Sequence, residues 1–361
     1  MELYRLFSIM ATFKSYLPWT TTPLIVSAPM AAPPASAGPA LATAVTEAGG
    51  LGLIGGRFSM EILRTQLEEA NKSLKASTNP LIASSKLLPI GVGFLTFVLK
   101  LDDVLPLIAE FRPVVVWLFV AKDLDGYKEW ADAIRDVSPE SRIWVQTGGV
   151  AAALHIAKTA RPDALCIQGA DAGGHGFEKG AGIISLLPET VDAFQREGLS
   201  HIPLLASGGI MDGRGVAAAL TLGASGVVMG TRFLGSKEIE IHPRYQAAVL
   251  EARDGGQVTA RSHLFDELSG PNMWPEAYDG RSLAVQSYKD QRDGVHLEEI
   301  QRLHNDAVKG EDEGFATELK GRAAIWAGTG VGLVSKVEGA GDIVEHVRRE
   351  TKEVVERTLK L

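Results

Sequence analysis

The sequence predicts an α/β protein, a (β/α)8 TIM barrel with an additional helical segment over the barrel mouth. Three observations carry that expectation. Eight short apolar runs recur between residues 24 and 230, separated by stretches with helical spacing. The runs are continuously hydrophobic rather than alternating, as parallel strands covered on both faces require. The seventh and eighth runs end in glycine-rich turns, where barrels of this class often hold phosphate. Length agrees, because eight strand–helix units need roughly 250 residues. That leaves room for additions in a chain of 361 residues.

The expected strands are 24–30 (LIVSAPM), 51–55 (LGLIG), 88–94 (LPIGVGF) and 114–120 (VVVWLFV), then 142–147 (RIWVQT), 164–168 (ALCIQ), 202–207 (IPLLAS) and 226–230 (GVVMG). Between them, GPALATAVTEAGG (38–50) ends in glycines that suit a helix C-terminus, and MEILRTQLEEANKSLKA (60–76) has apolar residues at helical spacing. LDDVLPLIAEF, DGYKEWADAIRDV, VAAALHIAKTA, ISLLPETVDAFQREG and RGVAAALTLGA supply the later helices. An open doubly wound sheet is the rival architecture, but its phosphate fingerprint is missing after the first strand. Past residue 235 the regularity fails. Residues 236–320 read as a polar, helical segment covering the mouth, and 321–361 as a closing loop and a charged amphipathic helix. The barrel proper is expected over 21–235, preceded by a loosely specified arm over 1–20.

Composition narrows the function classes. The 36 basic residues are outnumbered by 44 acidic ones, for a formal charge of −8, which argues against a nucleic-acid partner. Cys166 is the only cysteine, so no intramolecular disulfide forms, and a reducing compartment suits the chain. No window reaches eighteen uninterrupted apolar residues, and no membrane partner is expected. MELYRLFSIMATFKSYLPW has a faint transit-peptide flavour but lacks a secretory signal's apolar core. Cytoplasm is the default, with organellar targeting left open.

The glycine turns point to an anion. ASGGIMDGRG (206–215) follows the seventh strand and MGTRF (229–233) follows the eighth. Glycine lets backbone amides approach a phosphate closely, and a following helix adds its positive end. Ser207, Gly208 and Gly209 would form one wall of the cradle, and Gly230 and Thr231 the other. A carboxylate placed at Gly209 would then face the phosphate. Tight βα turns use glycine without any ligand as well, but two such turns at these strand ends favour phosphate. GTGVG (328–332) looks like the start of a dinucleotide fingerprint, yet no strand leads into it.

QGADAGGHG (168–176) ends the sixth strand on the same rim. Gly173 and Gly174 clear space for a flat ligand, and His175 would stand beside it, able to exchange protons near neutral pH. A surface-loop histidine is the bland alternative, and the position at the catalytic rim favours a functional one. His155 and His201 read as structural, and so on balance does His242, with a place near the mouth after the eighth strand as its lesser alternative. No His, Cys, Asp or Glu set has metal-ligand spacing, so no metal is expected. There is no G-x-S-x-G elbow.

These pieces resemble a known family. SAPM (27–30), GVGF (91–94), QGADAGGHG, LLASGGIMDGRGVAAAL and GVVMGTRFL look like nitronate monooxygenase, the flavin family formerly called 2-nitropropane dioxygenase. The likeness covers residues 24 to about 245, and WAGTGVGLV is similar to the family's closing loop. It implies FMN across the mouth, its phosphate on Ser207, Gly208, Gly209, Gly230 and Thr231. The ring would lie near Ala28, Met30 and Gly93, with Gln146, Gln168, Gly173 and Gly174 about the ribityl chain and ring edge. His175 matches the family's catalytic histidine. Two departures stand out: Asp171 where the family commonly has Glu, and Gly93 where it often has Asn.

The resemblance implies an oxidoreductase that turns alkyl nitronates or nitroalkanes and O2 into carbonyl compounds and nitrite. The cofactor does the redox work while the protein orients the substrate. Trp274 and Tyr278 would help shape the pocket. Two other readings stay open: an FMN-dependent NAD(P)H:quinone or enoyl-thioester reductase on the same barrel, and a flavin-free phosphate-binding barrel. A homodimer is compatible with each.

Overall fold

The fold is seen in a computed structural model, which describes residues 13–31, 35–56 and 59–360. Thirteen strands appear among them: β1 (Ile25–Ser27), β2 (Ala35–Ser36), β3 (Leu53–Gly55), β4 (Leu88–Leu95), β5 (Pro113–Phe119), β6 (Arg142–Thr147), β7 (Ala164–Gln168), β8 (Gly174–Phe177), β9 (Leu204–Ser207), β10 (Gly226–Met229), β11 (Glu240–Ile241), β12 (Thr259–Ser262) and β13 (Tyr278–Leu283). Eight of them form one parallel sheet in the order β1-β10-β9-β7-β6-β5-β4-β3. The ring closes where Val26 bridges Leu51, with Ser27 N–H donating to the Leu51 carbonyl at 3.1 Å and Leu51 N–H to that of Ile25 at 3.0 Å. This is the expected barrel, and each of the eight strands falls within a residue or two of an expected run, apart from trimmed ends.

The strands form where they do because both of their faces are covered. Every residue of β5, β9 and β10 is buried. Strand faces turned inward pack around Trp117 and Trp144, both fully buried, while the other faces meet helices such as Leu101–Phe111 and Gly126–Val137. Continuous apolarity in the sequence is the direct record of this double burial.

Two expectations give way. The stretch 13–20 is no loose arm: Phe13, Leu17 and Trp19 are buried, and Phe13 packs on Trp144 with ring centroids 5.8 Å apart. Trp19 Nε1 donates to the Gly50 carbonyl at 3.1 Å. Residues 1–12 lie outside the described part of the chain. The segment 236–320 is not purely helical either. Its strands β12 and β13 pair antiparallel, and β13 continues onto β8, giving a three-stranded sheet that stands over the mouth.

That sheet rests on its own core. Tyr245, Leu264, Phe265, Leu283, Ile300, Ile325 and Val331 are buried together in a cluster separate from the barrel's. Burying side chains of this size contributes about 1.5–3 kcal/mol each, enough to hold the cover as a folded unit rather than a draped loop. The closing helix, Ala340–Thr358, returns to the barrel wall, where Arg348 donates to the carbonyls of Ala48 and Gly49 at 3.1 and 3.0 Å. Among the described residues no helix is long and apolar enough to cross a membrane.

Candidate active site at the barrel mouth

Between the barrel's strand ends and the sheet above them lies a cavity of about 1210 Å³, counted out to its opening. All thirteen residues expected at the site line it: Ala28, Met30, Gly93, Gln146, Gln168, Gly173, Gly174, His175, Ser207, Gly208, Gly209, Gly230 and Thr231. They come from six barrel strands and the turns after them, brought together because parallel strands deliver all their C-terminal ends to one rim. Phe94, Leu95, Trp117 and Phe119 add an apolar flank. None of the described lining residues is Lys, Arg, Asp or Glu, so His175 is the one side chain of that wall with a basic nitrogen.

The floor is set by close approach. A Cβ at Gly93 would lie 2.5 Å from the Pro29 ring, so an asparagine there could not fit beside Pro29. The glycine and the proline that follows Ala28 belong together.

The two glycine turns both stand on the cavity wall, with two corrections to the expected cradle. Gly208 and Gly209 hold φ of +101° and +72°, left-handed values that side chains disfavour. Thr231 Oγ1 accepts from Gly328 N–H at 3.0 Å, which leaves its own hydrogen free to donate. The helix Gly213–Thr221, however, does not lend its positive end. Asp212 Oδ1 accepts from the N–H groups of Arg214 and Gly215, and Glu350 Oε2 accepts from that of Gly213. Its first amides are already satisfied, so an anion here would rest on the turn glycines and hydroxyls. Nor would a carboxylate at 209 simply face that anion, since a Cβ there meets the Asp171 Cβ at 3.1 Å in a strained backbone. At Gly230 φ is −105°, and a Cβ would meet nothing nearer than Ala28 Cβ at 3.6 Å.

Asp171 has a structural part to play. Its carboxylate accepts from Thr329 Oγ1 at 3.1 Å and its carbonyl from Thr329 N–H at 3.0 Å. The glycine run 328–332 is therefore a short 3-10 turn pinned onto the sixth-strand loop, not a nucleotide fingerprint.

His175 departs from expectation in its setting. It lies on β8, not in an open loop, directly opposite Gly280 of β13, and its carbonyl accepts from Gln168 Nε2 at 3.0 Å. Trp274 stacks flat on the imidazole with centroids 3.5 Å apart and planes 6° apart, and Trp326 tilts against it at 4.7 Å. Its Nε2 is 2.6 Å from Asp266 Oδ1. The side chains of His175 and Asp266 are only 10% and 5% exposed.

Trp274 thus shapes the cavity as expected. Tyr278 does not line it; it stacks on Phe177 behind the wall, where burial pushes its hydroxyl up to about 12. His242 caps the helix Pro243–Glu251 and contacts Phe315, also off the wall. Asp266 and Trp326 were not legible beforehand. Asp266 is 91 positions from its partner in a stretch with no motif, and only the three-stranded sheet brings them together. Among the described residues no group of His, Cys, Asp and Glu could hold a metal.

The chain's relatives agree with this architecture. The family model described as nitronate monooxygenase matches residues 132–350. The nitronate monooxygenase npaC of Metarhizium robertsii is 43% identical over 342 residues, covering 94% of both chains. The nitronate monooxygenase of Neurospora crassa is 37% identical, covering 95% of this chain and 93% of its own. Two solved structures share the fold: FabK from Thermotoga maritima, with a TM-score of 0.72 at 24% identity over 96% of this chain and 98% of its own, and a nitroalkane oxidase from Streptomyces ansochromogenes, with 0.71 at 23% over 95% and 99%. The barrel, the rim and these matches together establish that the chain is an oxidoreductase belonging to the flavin-dependent nitronate monooxygenase family.

Proposed function

We propose that the chain binds FMN in the mouth cavity and oxidises alkyl nitronates and nitroalkanes with O2 to carbonyl compounds and nitrite. The observation that carries this reading is His175, the one imidazole of the described wall, held at the rim of a cavity whose far end is a glycine and hydroxyl cradle. The cradle suits a phosphate: two left-handed glycines, a Thr231 hydroxyl with its hydrogen free, and no contact tighter than 3.6 Å where a Cβ of residue 230 would stand. A flat ring fits between Ala28, Met30 and Gly93 on one side and Gly173 and Gly174 on the other, with Gln146 and Gln168 offering amides to its edge.

Bound flavin would supply the redox chemistry, taking reducing equivalents from the substrate and handing them to O2. The chain's residues do the rest. Phe94, Leu95, Trp117 and Phe119 hold the alkyl part and keep water out. His175 either takes the acidic proton next to a nitro group or pairs as imidazolium with a nitronate that arrives already charged.

The purified protein should be yellow, and a nitronate should bleach it without oxygen. Bleaching by NADH and not by nitronate would move the chain to the reductase reading. Protein that stays colourless when refolded with excess FMN would remove the flavin altogether.

A further inference from the structure

The setting of His175 carries an inference that rests on the reading above and deepens it. Asp266 lies on the short helix Leu264–Glu267 of the cover. One of its oxygens meets His175 Nε2 at 2.6 Å, while the other, Oδ2, is buried with no hydrogen-bond partner. A buried carboxylate with half its acceptors unmet is costly to keep. The cost makes sense if the charge serves the imidazole it touches.

A carboxylate only accepts hydrogen bonds, so Nε2 carries the hydrogen and Nδ1 the lone pair. Nδ1 makes no hydrogen bond to the described residues, and the ring belongs to the cavity wall. Trp274, stacked on one face, and Trp326, tilted at 4.7 Å, keep the ring from turning over. We propose that Asp266 is a positioning residue that fixes His175 as the Nε2–H tautomer and presents Nδ1 as the base for neutral nitroalkanes. In that step the C–H bond next to the nitro group breaks and an N–H bond forms at Nδ1. The electron pair stays on the nitronate. The Nε2 hydrogen remains on the imidazolium, whose charge the Asp266 carboxylate faces.

The test compares nitroethane with its preformed nitronate on flavin-loaded wild type, Asp266→Asn and Asp266→Glu. Asp266→Asn should lose roughly 10²-fold in kcat on nitroethane, the scale of a general base, and fall by a clearly smaller factor on the nitronate, which needs no proton removed. The deuterium isotope effect on nitroethane should rise in Asp266→Asn, and Asp266→Glu should recover part of the loss. An equal fall on both substrates with flavin still bound would mean that Asp266 only supports the fold, and no fall on either would remove it. Should the variants lose flavin, ¹⁵N NMR of wild-type His175 decides: an Nε2–H ring is expected, and an Nδ1–H ring overturns the proposal. Wild type that oxidises neither substrate would sink the functional reading alone, and the tautomer would still be measured.

Discussion

At position 230 the chain carries no side chain, and the room a Cβ would need is bounded by Ala28 Cβ at 3.6 Å and Met30 Sδ at 4.0 Å, ordinary contact distances. Gly230→Ala should therefore keep its flavin. Gly230→Asp sets a carboxylate beside the proposed phosphate, where like charges at about 4 Å repel by roughly 4 kcal/mol at a partly exposed site. It should purify colourless, and an unchanged flavin spectrum would show that the phosphate lies elsewhere. Trp274 makes the complementary case. Its stacking on His175, with planes 6° apart, shields the imidazole and narrows the slot beside it. An aromatic pair of this kind is worth about 0.5–1.5 kcal/mol beyond its burial, so Trp274→Ala should lower kcat/KM up to about tenfold while Trp274→Phe recovers most of it. Steady-state kinetics on flavin-loaded protein decide between these outcomes.

The elements of the cover have a pH dependence of their own. His304, on the helix Leu297–Ala307, is 5% exposed, and its Nδ1 has no hydrogen-bond partner. Burial holds its pKa below the ordinary 6.5, with the nearby Arg322 charge adding to the effect. The unfolded chain therefore takes up this proton first, and stability falls as the pH drops through about 6.5 and below. Thermal unfolding should show the wild type losing stability from pH 7 to pH 5, with a shallower slope in His304→Gln; identical slopes would place the loss elsewhere. The same elements explain what could be read from the chain alone. Barrel strands such as β5 and β10 are apolar throughout because helices cover their outer faces, so the pattern is local and legible. Strand β8 is GHGF, with glycine in two of four places and a partner strand a hundred residues later, so nothing local announces it. The helix Gly213–Thr221 shows the opposite failure. Its N-terminus looks free in sequence, but the Glu350 carboxylate that occupies one of its amides comes from the far end of the chain.

Across the whole molecule, the cavity lies where the barrel core meets the separate core of the cover, and residues of both line it. A ligand held there touches both units and has no site in the unfolded chain. It must then stabilise the fold by mass action, by about 2.7 kcal/mol at a hundredfold excess over Kd. For a chain of this size that is a rise of roughly 3–4 °C in Tm. The cradle makes a sharper demand. Riboflavin carries the same ring and ribityl chain as FMN but no phosphate, so it forgoes the Gly208, Gly209 and Thr231 contacts and should raise Tm less at equal concentration. Inorganic phosphate alone should raise it slightly and compete with FMN. Equal shifts from FMN and riboflavin would mean that the turns after β9 and β10 are only tight corners of the barrel, and that whatever anchors the ring is found among Ala28, Met30, Gln146 and Gln168 instead.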